Sequence, residues 1–370
     1  MTTPEQPARA PSERRGTILV LCPYPPGTAA SQRFRFEQYL PALREAGYTI
    51  EQASFWDEET WRILYKPGHR REKVLGLVRG FLRRFALLTR SGEYAQVFIH
   101  LEAAPVGPPV VEAALKLLGK KLVYDIDDAI FIPRTSKENR AAAWLRWRSK
   151  VAQVTRWSDR VIAVNPFLVD WARQHNPRAE LVPTTIDPEY HRRSPDRAEN
   201  PLPVVGWTGT KSTAPFLELV RPALVELQKT RRFVFRVICD VDPGFPELER
   251  YEFVKWREAT EIADLQVLDV GLMPVPDDPF SRGKVGFKAI QYSALEIPPI
   301  VSDVGSGREV VVDGRTGLVL PNETRAWQGA LATLLDDPER RRQMGRAARD
   351  YILERYSIPA QRPNYLGLFG

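Results

Sequence analysis

Residues 269–303, DVGLMPVPDDPFSRGKVGFKAIQYSALEIPPIVSD, contain two short apolar runs on either side of a helical pattern. The runs VGLMPV (270–275) and PPIVSD (298–303) have the length and composition of buried strands, whereas GFKAIQYSALE (286–296) has apolar residues at helical spacing. A strand, a helix and a second strand in this order form the unit that joins neighbouring parallel strands. The stretch therefore predicts a parallel sheet covered by helices.

The same alternation extends through most of the chain. Strand-like runs lie at residues 17–22, 48–54, 95–101, 121–127, 160–165, 203–209, 233–240, 270–275, 298–303 and 317–321. Helical patterns lie between several of them, at 31–47, 108–119, 137–158, 215–229, 286–296 and 325–357. This pattern predicts an α/β fold with two Rossmann-like, doubly wound domains. Ligands of such sheets bind beyond the carboxyl ends of the strands, so we expect a central cleft between the domains to hold the site.

A polar, proline-rich segment interrupts the alternation at residues 187–203. Its composition is typical of a linker, and the first fifteen residues have the composition of a disordered tail. We therefore predict the following division: a tail over 1–15, a first domain over 16–190, a linker over 191–202 and a second domain over 203–350.

The composition of the 370-residue chain argues against several classes of protein. A net charge of +7 allows an anionic partner, but no zinc-ligand spacing or aromatic RNA-binding motif accompanies it, and the four histidines are scattered. We therefore expect neither a nucleic-acid partner nor a bound metal. Two cysteines favour a reducing cytosol, and no run approaches the ~20 apolar residues of a membrane span. We expect a cytoplasmic protein.

Two lysines lie where a helix would begin, in GKVGFKAIQ (283–291). A helix start carries about half a positive charge, so cations there cost roughly 0.3–1 kcal/mol each. One interpretation is a pair of solvated lysines offset by nearby carboxylates. The other is that Lys284, Lys288 and free backbone N–H groups converge on a diphosphate, which Gly283 and Gly286 let approach closely. We favour the second interpretation.

Two further glycine turns follow strands in the second half of the chain. In VGSGREVV (304–311), Ser306 could bond ligand oxygens and Glu309 a ligand hydroxyl, or the two could form a capping box. The turn GWTGTKST (206–213) places glycine, hydroxyls and Lys211 at a strand end. Both turns would face the cleft.

The first half offers polar groups at its own strand ends. The loop PYPPGTAASQRFRF (23–36) could close over a ligand held mostly by the other domain. His100 ends one strand, and YDIDDAIF places Asp125, Asp127 and Asp128 at the end of the next. The aspartates could bind a divalent metal, or they could cap the following loop, which we favour.

Residues 66–90 form a predicted amphipathic helix. Its apolar side chains fall on one face, at Val74, Leu75, Val78, Phe81, Leu82, Phe85 and Leu88. Its basic side chains fall on the other, at Lys73, Arg79, Arg83, Arg84 and Arg90. The helix either packs its apolar face on its own sheet or lies on an anionic membrane surface. If the helix lies on a membrane surface, we expect a peripheral protein on the inner face of the membrane.

Taken together, these segments resemble the retaining bacterial GT-B glycosyltransferases of family 4. The resemblance covers residues 17–357 and is strongest from 270 to 320, where the chain is similar to the donor-binding region of that family. It implies a GT-B fold, a UDP- or GDP-linked sugar donor held mainly by the second domain, no cofactor, and a glycan, lipid-linked or small-molecule acceptor over the first domain. It also implies that the last segment, 351–370, crosses back to the first domain.

The resemblance and the strand-end pattern together give a set of candidate site residues. The catalytic candidates are Lys284, Lys288 and His100. The donor-binding candidates are Gly209, Thr210, Lys211, Gly283, Val285, Gly286, Gln291, Ser306, Gly307 and Glu309. The acceptor-side candidates are Gly27, Thr28, Arg33 and Asp127. The lysines would stabilise the departing nucleoside diphosphate.

The chain departs from the family at two of these positions. Many members carry two glutamates eight residues apart here, and this chain has Gly283 and Gln291 instead. Gln291 can still hydrogen-bond a ribose, but glycine supplies no side chain for the sugar. The alternatives are therefore a nucleotide-sugar-binding protein of the same fold that does not transfer, or a GT-B sugar phosphorylase or epimerase.

Overall fold

The computed structural model describes residues 15–132 and 147–370. In these residues the chain forms two sheets of six parallel strands each, one in each half of the chain. Residues 1–14 of the predicted tail, and residues 133–146, which include the start of the predicted helix 137–158, lie outside the described part. The predicted α/β architecture of two doubly wound domains is confirmed.

The first sheet has the strand order β2-β1-β3-β4-β5-β6. Its strands are β1 (Gly16–Cys22), β2 (Tyr48–Ser54), β3 (Tyr94–His100), β4 (Lys121–Ile126), β5 (Arg160–Ala163) and β6 (Ala179–Leu181). Its helices are α1 (Ala30–Arg35), α2 (Leu40–Glu45), α3 (Glu58–Leu64), α4 (Arg70–Thr89), α5 (Val110–Leu117), α6 (Lys150–Trp157) and α7 (Pro166–Arg173). The central strands are apolar and buried on both faces, as parallel strands covered by helices require.

The second sheet has the order β12-β11-β10-β7-β8-β9. Its strands are β7 (Val204–Thr208), β8 (Val234–Cys239), β9 (Tyr251–Lys255), β10 (Val270–Met273), β11 (Pro299–Ser302) and β12 (Leu318–Leu320). Its helices are α8 (Arg221–Gln228), α9 (Glu261–Leu265), α10 (Pro279–Arg282), α11 (Phe287–Ala294), α12 (Gly307–Val310), α13 (Thr324–Asp336) and α14 (Pro338–Arg355). The opening stretch thus forms β10, α10, α11 and β11, and β10 pairs directly with β11.

The last helix, α15 (Ile358–Gly367), packs on the first domain. The chain crosses over beside Ile186, which pairs with Ser357. Tyr365 then stacks on Tyr39 with ring centroids 4.1 Å apart, and Gln96 Nε2 donates to the Phe369 carbonyl at 2.7 Å. The predicted boundary at 350/351 falls inside α14, so the crossover begins five residues later.

Two helical predictions differ from the structure. The pattern over 31–47 predicts one helix, but the chain forms α1, a 3-10 turn and α2, because Phe36 leaves helical geometry with φ −127°. The pattern over 215–229 likewise predicts one helix, but the chain forms a 3-10 segment over Ala214–Leu219 before α8. Local backbone breaks of this kind do not disturb the apolar spacing from which helices are predicted.

Helix α4 presents the opposite face to its domain from the one that its apolar residues suggest. Gly76 and Gly80 face inward, where added β-carbons would lie 2.2 Å from Thr60 Oγ1 and 2.6 Å from the Phe55 ring. The buried Arg84 guanidinium donates to three backbone carbonyls at 2.7–3.0 Å, and burial lowers the pKa of Arg84 to about 10.

The apolar stripe of α4 is consequently left in solvent. Its exposed members are Val74 (61%), Leu75 (55%), Val78 (48%), Leu82 (62%) and Phe85 (47%). The prediction that this face packs on its own sheet is wrong for these five side chains. No helix within residues 15–132 or 147–370 has the length and apolar character needed to cross a membrane.

Candidate functional site

The two sheets face each other through the carboxyl ends of their strands, and the segment from β10 to α11 lies between them. Helix α11 begins at Phe287 with Gly286 as its N-cap, so Lys288 is in its first turn and Lys284 precedes the cap. The two lysines therefore do not share a helix face, because only Lys288 lies within the helix. They are nevertheless close enough to interact electrostatically, since the charge of Lys284 lowers the pKa of Lys288.

Lys288 is held in an environment that disfavours its charge. Its Nζ lies 5.5 Å from the centroid of the Trp207 ring, and its side chain is partly buried. Burial, followed by repulsion from Lys284, lowers the pKa of Lys288 to about 8. Both burial and the positive helix start disfavour the protonated form of Lys288. An anion bound beside it would stabilise that protonated form, so the position is suited to anion binding.

Lys284 makes contacts with both domains. Its Nζ lies 3.7 Å from Asp128 Oδ2 of the first domain and 4.6 Å from the centroid of the Phe280 ring. The same segment packs against the core of the first domain through Phe280 and Val285. Residues 280–288, which we call the lysine segment, therefore belong to the second domain and also form part of the interface between the domains.

Gly283 makes the closest approach at this interface. A β-carbon added to it would lie 2.6 Å from Ala129 Cβ of the first domain, closer than such atoms approach each other. In this arrangement no larger residue fits at position 283. A glutamate at this position would collide with Ala129, which gives a steric reason for the glycine.

We expect Gly283→Ala to weaken the contact between the domains by about 1–3 kcal/mol, as overpacking does in a filled interior. Small-angle scattering should show a larger radius of gyration than for the wild type. The double variant Gly283→Ala/Ala129→Gly removes the colliding methyl group and should recover the wild-type value. Gly329→Ala, in an open position on α13, is the matched control. Scattering unchanged by Gly283→Ala would contradict this interpretation.

Ser306 and Asn165 join the domains beside Lys284. Ser306 Oγ donates to the Lys284 carbonyl at 2.8 Å, and Asn165 Nδ2 donates to Ser306 Oγ at 3.2 Å and to the Lys284 carbonyl at 3.3 Å. Ser306 makes no side-chain capping bond to α12, so the capping box is not formed. Asn165 was missed by sequence reasoning because an asparagine before a proline at a strand end is typical of a helix N-cap, a role it also performs for α7.

The other donor-side candidates surround this segment. A β-carbon on Gly286 would lie 2.8 Å from Val310 Cγ2, and one on Gly307 would lie 2.4 Å from the Ser302 carbonyl. Burial raises the pKa of Glu309, and its Oε2 has no hydrogen-bond partner among the described residues. That carboxylate can therefore accept a bond from a ligand hydroxyl.

Gln291 lies in a buried polar cluster, three residues after Lys288 in α11. Its exposed fraction is 4%, and its Nε2 donates to Glu261 Oε1 at 3.3 Å and lies 3.5 Å from His191 Nε2. Arg33, predicted on the acceptor side, reaches across to the second domain and pairs with Glu258 at 3.2 Å. Gln291 and Arg33 thus lie on the side of the cleft formed by the segment after β9.

The remaining loop candidates are exposed at the rim of the cleft. Thr210 Oγ1 lies 2.9 Å from Ser212 Oγ, and the Lys211 backbone N–H donates to Asp240 Oδ1 at 2.6 Å. Gly209 precedes them, where a β-carbon would collide with the Trp207 ring that also contacts Lys288.

In the first domain, Gly27 has φ +73° and its N–H donates to Glu37 Oε2 at 3.0 Å. Thr28 Oγ1 donates to the Pro25 carbonyl at 2.8 Å.

A buried charged network lies at the carboxyl ends of β3 and β4. His100 Nδ1 donates to Asp125 Oδ2 at 2.7 Å, and the Arg35 guanidinium donates to the same carboxylate. Burial opposes ionisation of Asp125, but Arg35 and His100 outweigh it and hold its pKa below the usual range. His100 and Asp125 are thereby fixed in position.

Asp127 lies beside this network with capacity for a further partner. Its Oδ2 is 3.8 Å from His100 Nε2, while its Oδ1 and the His100 Nε2 have no hydrogen-bond partner among the described residues. Burial, with a further contribution from Asp125, raises the pKa of Asp127 to about 6. The two unpartnered atoms are suited to hold a hydroxyl group between them. Asp128 caps the next residue through a bond from the Ala129 N–H at 2.9 Å.

The metal alternative for these aspartates has no support in the geometry of the described residues. Across residues 15–132 and 147–370, no group of three or more His, Cys, Asp or Glu side chains is arranged to hold a metal ion.

Comparison with known families identifies the lysine segment. Residues 278–351, which include Lys284, Lys288, Ser306 and most of α14, match the family described as "Glycosyl transferases group 1". The match supports the group 1 glycosyl transferases as the family. A curated relative, the alpha-maltose-1-phosphate synthase of Mycolicibacterium smegmatis, is 30% identical over 174 residues. That alignment covers 45% of this chain and 38% of the relative.

Solved structures agree with the whole fold. The sucrose-phosphate synthase from Thermosynechococcus elongatus superimposes with a TM-score of 0.71 at 16% identity, covering 96% of this chain and 98% of that one. Anabaena HepE, solved in complex with UDP and glucose, superimposes with a TM-score of 0.66 at 14% identity, covering 95% and 98%. The fold is therefore that of the GT-B glycosyltransferases, and the lysine segment lies on the side of the cleft formed by its second domain.

Proposed function

We propose that this protein is a glycosyltransferase that moves a sugar from a nucleoside-diphosphate sugar, UDP- or GDP-linked, to an acceptor hydroxyl. One observation carries the proposal: two lysines lie together at the start of α11, inside the segment that matches the group 1 family, and burial followed by the charge of Lys284 lowers the pKa of Lys288. A diphosphate is the anion that this pair of ammonium groups and the adjoining N–H groups would neutralise. The UDP bound by the HepE structure supports a uridine nucleotide first.

In the proposed reaction, the site stabilises the departing nucleoside diphosphate. As the bond between the sugar and the diphosphate breaks, negative charge grows on the phosphate oxygens while the sugar becomes oxocarbenium-like. Fixed positive groups at the diphosphate stabilise that transition state more than the ground state, without a metal. Lys288 is partly desolvated, which strengthens its interaction with the developing charge. Retention of configuration follows from the family 4 resemblance.

On the first domain, His100 and Asp127 would bind a sugar or acceptor hydroxyl. Both present a buried atom without a partner, and the Arg35–Asp125 pair keeps the His100 ring from turning away. The acceptor itself, whether a glycan, a lipid-linked sugar or a small molecule, would enter past Gly27 and Thr28. Arg33 would lie toward the nucleotide, because it pairs with Glu258 across the cleft.

A second candidate function is favoured by the two departures from the family. Gly283 has no side chain, and the amide of Gln291 is already bonded to Glu261. A protein that binds a nucleotide sugar without transferring it would tolerate both. A GT-B phosphorylase would use the same cleft and would need inorganic phosphate as its acceptor.

A panel of UDP-, GDP- and ADP-sugars, incubated with the protein and with candidate acceptors, separates these functions. Release of free nucleoside diphosphate that depends on an acceptor supports the transferase. Saturable donor binding without release supports the binding protein, and donor consumption only with added phosphate supports the phosphorylase. Absence of donor binding across the panel would contradict all three.

The exposed stripe on α4 supports a membrane-bound site of action. Five apolar side chains cover one face, and Arg70 and Arg71 are exposed at the start of the helix. Arg79 and Arg83 are instead paired with Asp57 at 3.7 and 3.2 Å, so they contribute less charge than the sequence suggests. We propose that α4 lies on an anionic lipid surface and brings the acceptor side of the cleft to a lipid-linked substrate.

We expect the protein to sediment with phosphatidylglycerol vesicles at low salt and to be released at high salt, where screening is stronger. Leu82→Ser/Phe85→Ser should lower the bound fraction by roughly tenfold or more, since each buried side chain contributes about 1.5–3 kcal/mol. Arg70→Ala/Arg71→Ala should remove most of the salt dependence. Val241→Ser, exposed on the second domain, is the matched control. Equal sedimentation of the double variants and the control would contradict the proposal.

A further inference from the structure

A large basic cavity lies on the far side of the second domain from the cleft. It has a volume of about 860 Å³, and its walls include Pro203, Asp269 and Pro298, which immediately precede β7, β10 and β11. The lysines of the cleft lie at the opposite, carboxyl edge of the same sheet. The cavity is therefore separate from the proposed donor site.

The charge of this cavity is strongly unbalanced. Among the residues that the structure describes, seven arginines and three carboxylates line it. The arginines come from two segments, the linker before β7 and helix α14. These segments are also the two chain connections that lead from the second domain toward the first.

The linker contributes Arg192, Arg193 and Arg197. Arg197 is anchored, since it donates to Asp269 Oδ1 and to the Val267 carbonyl, each at 2.9 Å, yet its buried Nε has no partner among the described residues. Arg193 meets its carboxylate, Glu296, only at 3.9 Å. Burial and the charge of Arg197 lower the pKa of Arg193. The linker therefore presents positive charge that its own acids do not neutralise.

Helix α14 contributes Arg341, Arg342, Arg346 and Arg349. The last three follow each other at spacings of four and three residues, which places them on one face of the helix, where like charges repel. Arg342 and Arg346 share one carboxylate, Glu339, at 3.0 and 3.6 Å, and Arg342 meets Glu199 at 3.9 Å. Arg349 is engaged through its NH1 with the His191 carbonyl at 3.0 Å, and so ties α14 to the linker.

Such a cluster is stable without a ligand only at an electrostatic cost. Guanidinium groups bind phosphate oxygens in pairs of parallel hydrogen bonds, and several around one cavity suit an anion with more than one phosphate. We propose that the cavity binds a small polyanion bearing two or more phosphate groups. Bound there, it would join the linker to α14 and limit movement between the domains. The proposal does not depend on the transferase function.

Inorganic tripolyphosphate is a suitable probe, and calorimetric titration measures its binding. The titration uses the full-length Lys288→Ala protein, in which the cleft can no longer offer both lysines to the probe. We expect saturable binding that weakens as salt is added. Adding Arg342→Ala/Arg346→Ala to this protein should weaken tripolyphosphate binding roughly tenfold or more, since the two substitutions remove charge-assisted hydrogen bonds from guanidinium groups to phosphate oxygens. Arg325→Ala/Arg340→Ala, which removes two exposed charges outside the cavity, should leave the affinity within about twofold of its parent.

Two results would overturn the proposal: no binding to the Lys288→Ala protein, or equal affinities of the cavity variant and the control variant. Inorganic phosphate that binds as tightly as tripolyphosphate would overturn the requirement for more than one phosphate. Circular dichroism and Tm establish that both double variants are folded. Because no readout uses sugar transfer, failure of the proposed function leaves this test intact.

Discussion

Replacing Lys288 with alanine is expected to lower kcat/KM for the sugar donor by about 10²–10³-fold, the loss seen when one fixed group that stabilises developing charge is removed. Affinity for the intact sugar donor should fall by a smaller factor, because the ground-state diphosphate carries less charge on the bridging oxygen than the transition state does. Steady-state kinetics with the active donor of the panel, together with titration of that donor without acceptor, measure both effects.

Lys229→Ala is the matched control, since Lys229 is an exposed lysine of the same domain that pairs with Glu226 on the surface. Lys284→Ala should also weaken UDP binding. Unchanged kinetics in Lys288→Ala would show that the charge at α11 does not act on the leaving group.

The pKa of Lys288 gives the same interaction a pH signature. In the free protein its pKa is about 8, and a bound diphosphate would raise it, so the protonated lysine binds the ligand more tightly. UDP affinity should therefore fall as the pH rises from 7 through 8, where the terminal phosphate of UDP is already ionised and Lys288 loses its proton. Binding near pH 8 should be accompanied by proton uptake, which titration in buffers of different ionisation enthalpy detects.

Asp127→Asn is expected to lower turnover by roughly tenfold or more at pH 8 while making the protein more stable. Its carboxyl group has a pKa raised by burial to about 6, so at neutral pH the folded state holds an ionised group that burial disfavours. The amide keeps the shape but loses the charge and one acceptor atom. Turnover by wild-type protein should also fall as the pH drops below 6, and this acid limb should be absent in the variant.

The sign of the stability effect follows from linkage. The pKa of Asp127 is higher in the folded protein than in the unfolded chain. Its contribution to the free energy of unfolding is therefore most favourable below about pH 4 and is lost as the pH rises through 6. Two pKa units correspond to ~3 kcal/mol, the upper bound on the gain in unfolding free energy of Asp127→Asn at pH 7. The gain should vanish at pH 4.

Chemical denaturation at both pH values measures that difference. Asp170→Asn, an exposed carboxylate on α7, is the control. Full turnover of Asp127→Asn at pH 8 would contradict the role given to Asp127. So would a gain in unfolding free energy over the wild type that is smaller at pH 7 than at pH 4.

The central strands of both sheets are predictable from the sequence because they are buried on both faces and read as continuous apolar runs. The two strands that the pattern did not predict are the edge strands β6 and β9. Strand β6 (AEL) is only three residues long with two of them exposed, and none of the five residues of β9 (YEFVK) is fully buried. Short or half-exposed strands lack the signal on which strand prediction rests.

The faces of α4 show where periodicity alone misleads. A helical wheel places Arg84 with the solvated residues, but its guanidinium is buried because three carbonyls at the edge of the first sheet accept its hydrogen bonds. Gly76 and Gly80 permit the close approach that makes this possible. Neither the carbonyl positions nor the approach can be derived from the spacing of the residues.

In the candidate site, local sequence was sufficient to place Lys284, Lys288 and Ser306 near one another but not to find what joins the domains. The partners of that segment, Asn165 and Ala129, lie more than a hundred residues away in the chain. Contacts between domains depend on how two separately predicted sheets meet, and the sequence of either sheet carries little information about it.

The most direct test is a crystal structure of the protein with UDP. We predict the diphosphate between the domains, with its oxygens about 2.7–3.2 Å from Lys288 Nζ and from the N–H groups before α11, and with Lys284 turned from Asp128 toward the phosphates. A nucleotide bound elsewhere, with the cleft empty and both ammonium groups in bulk water, would contradict the central claim that this charge cluster exists to hold a leaving diphosphate.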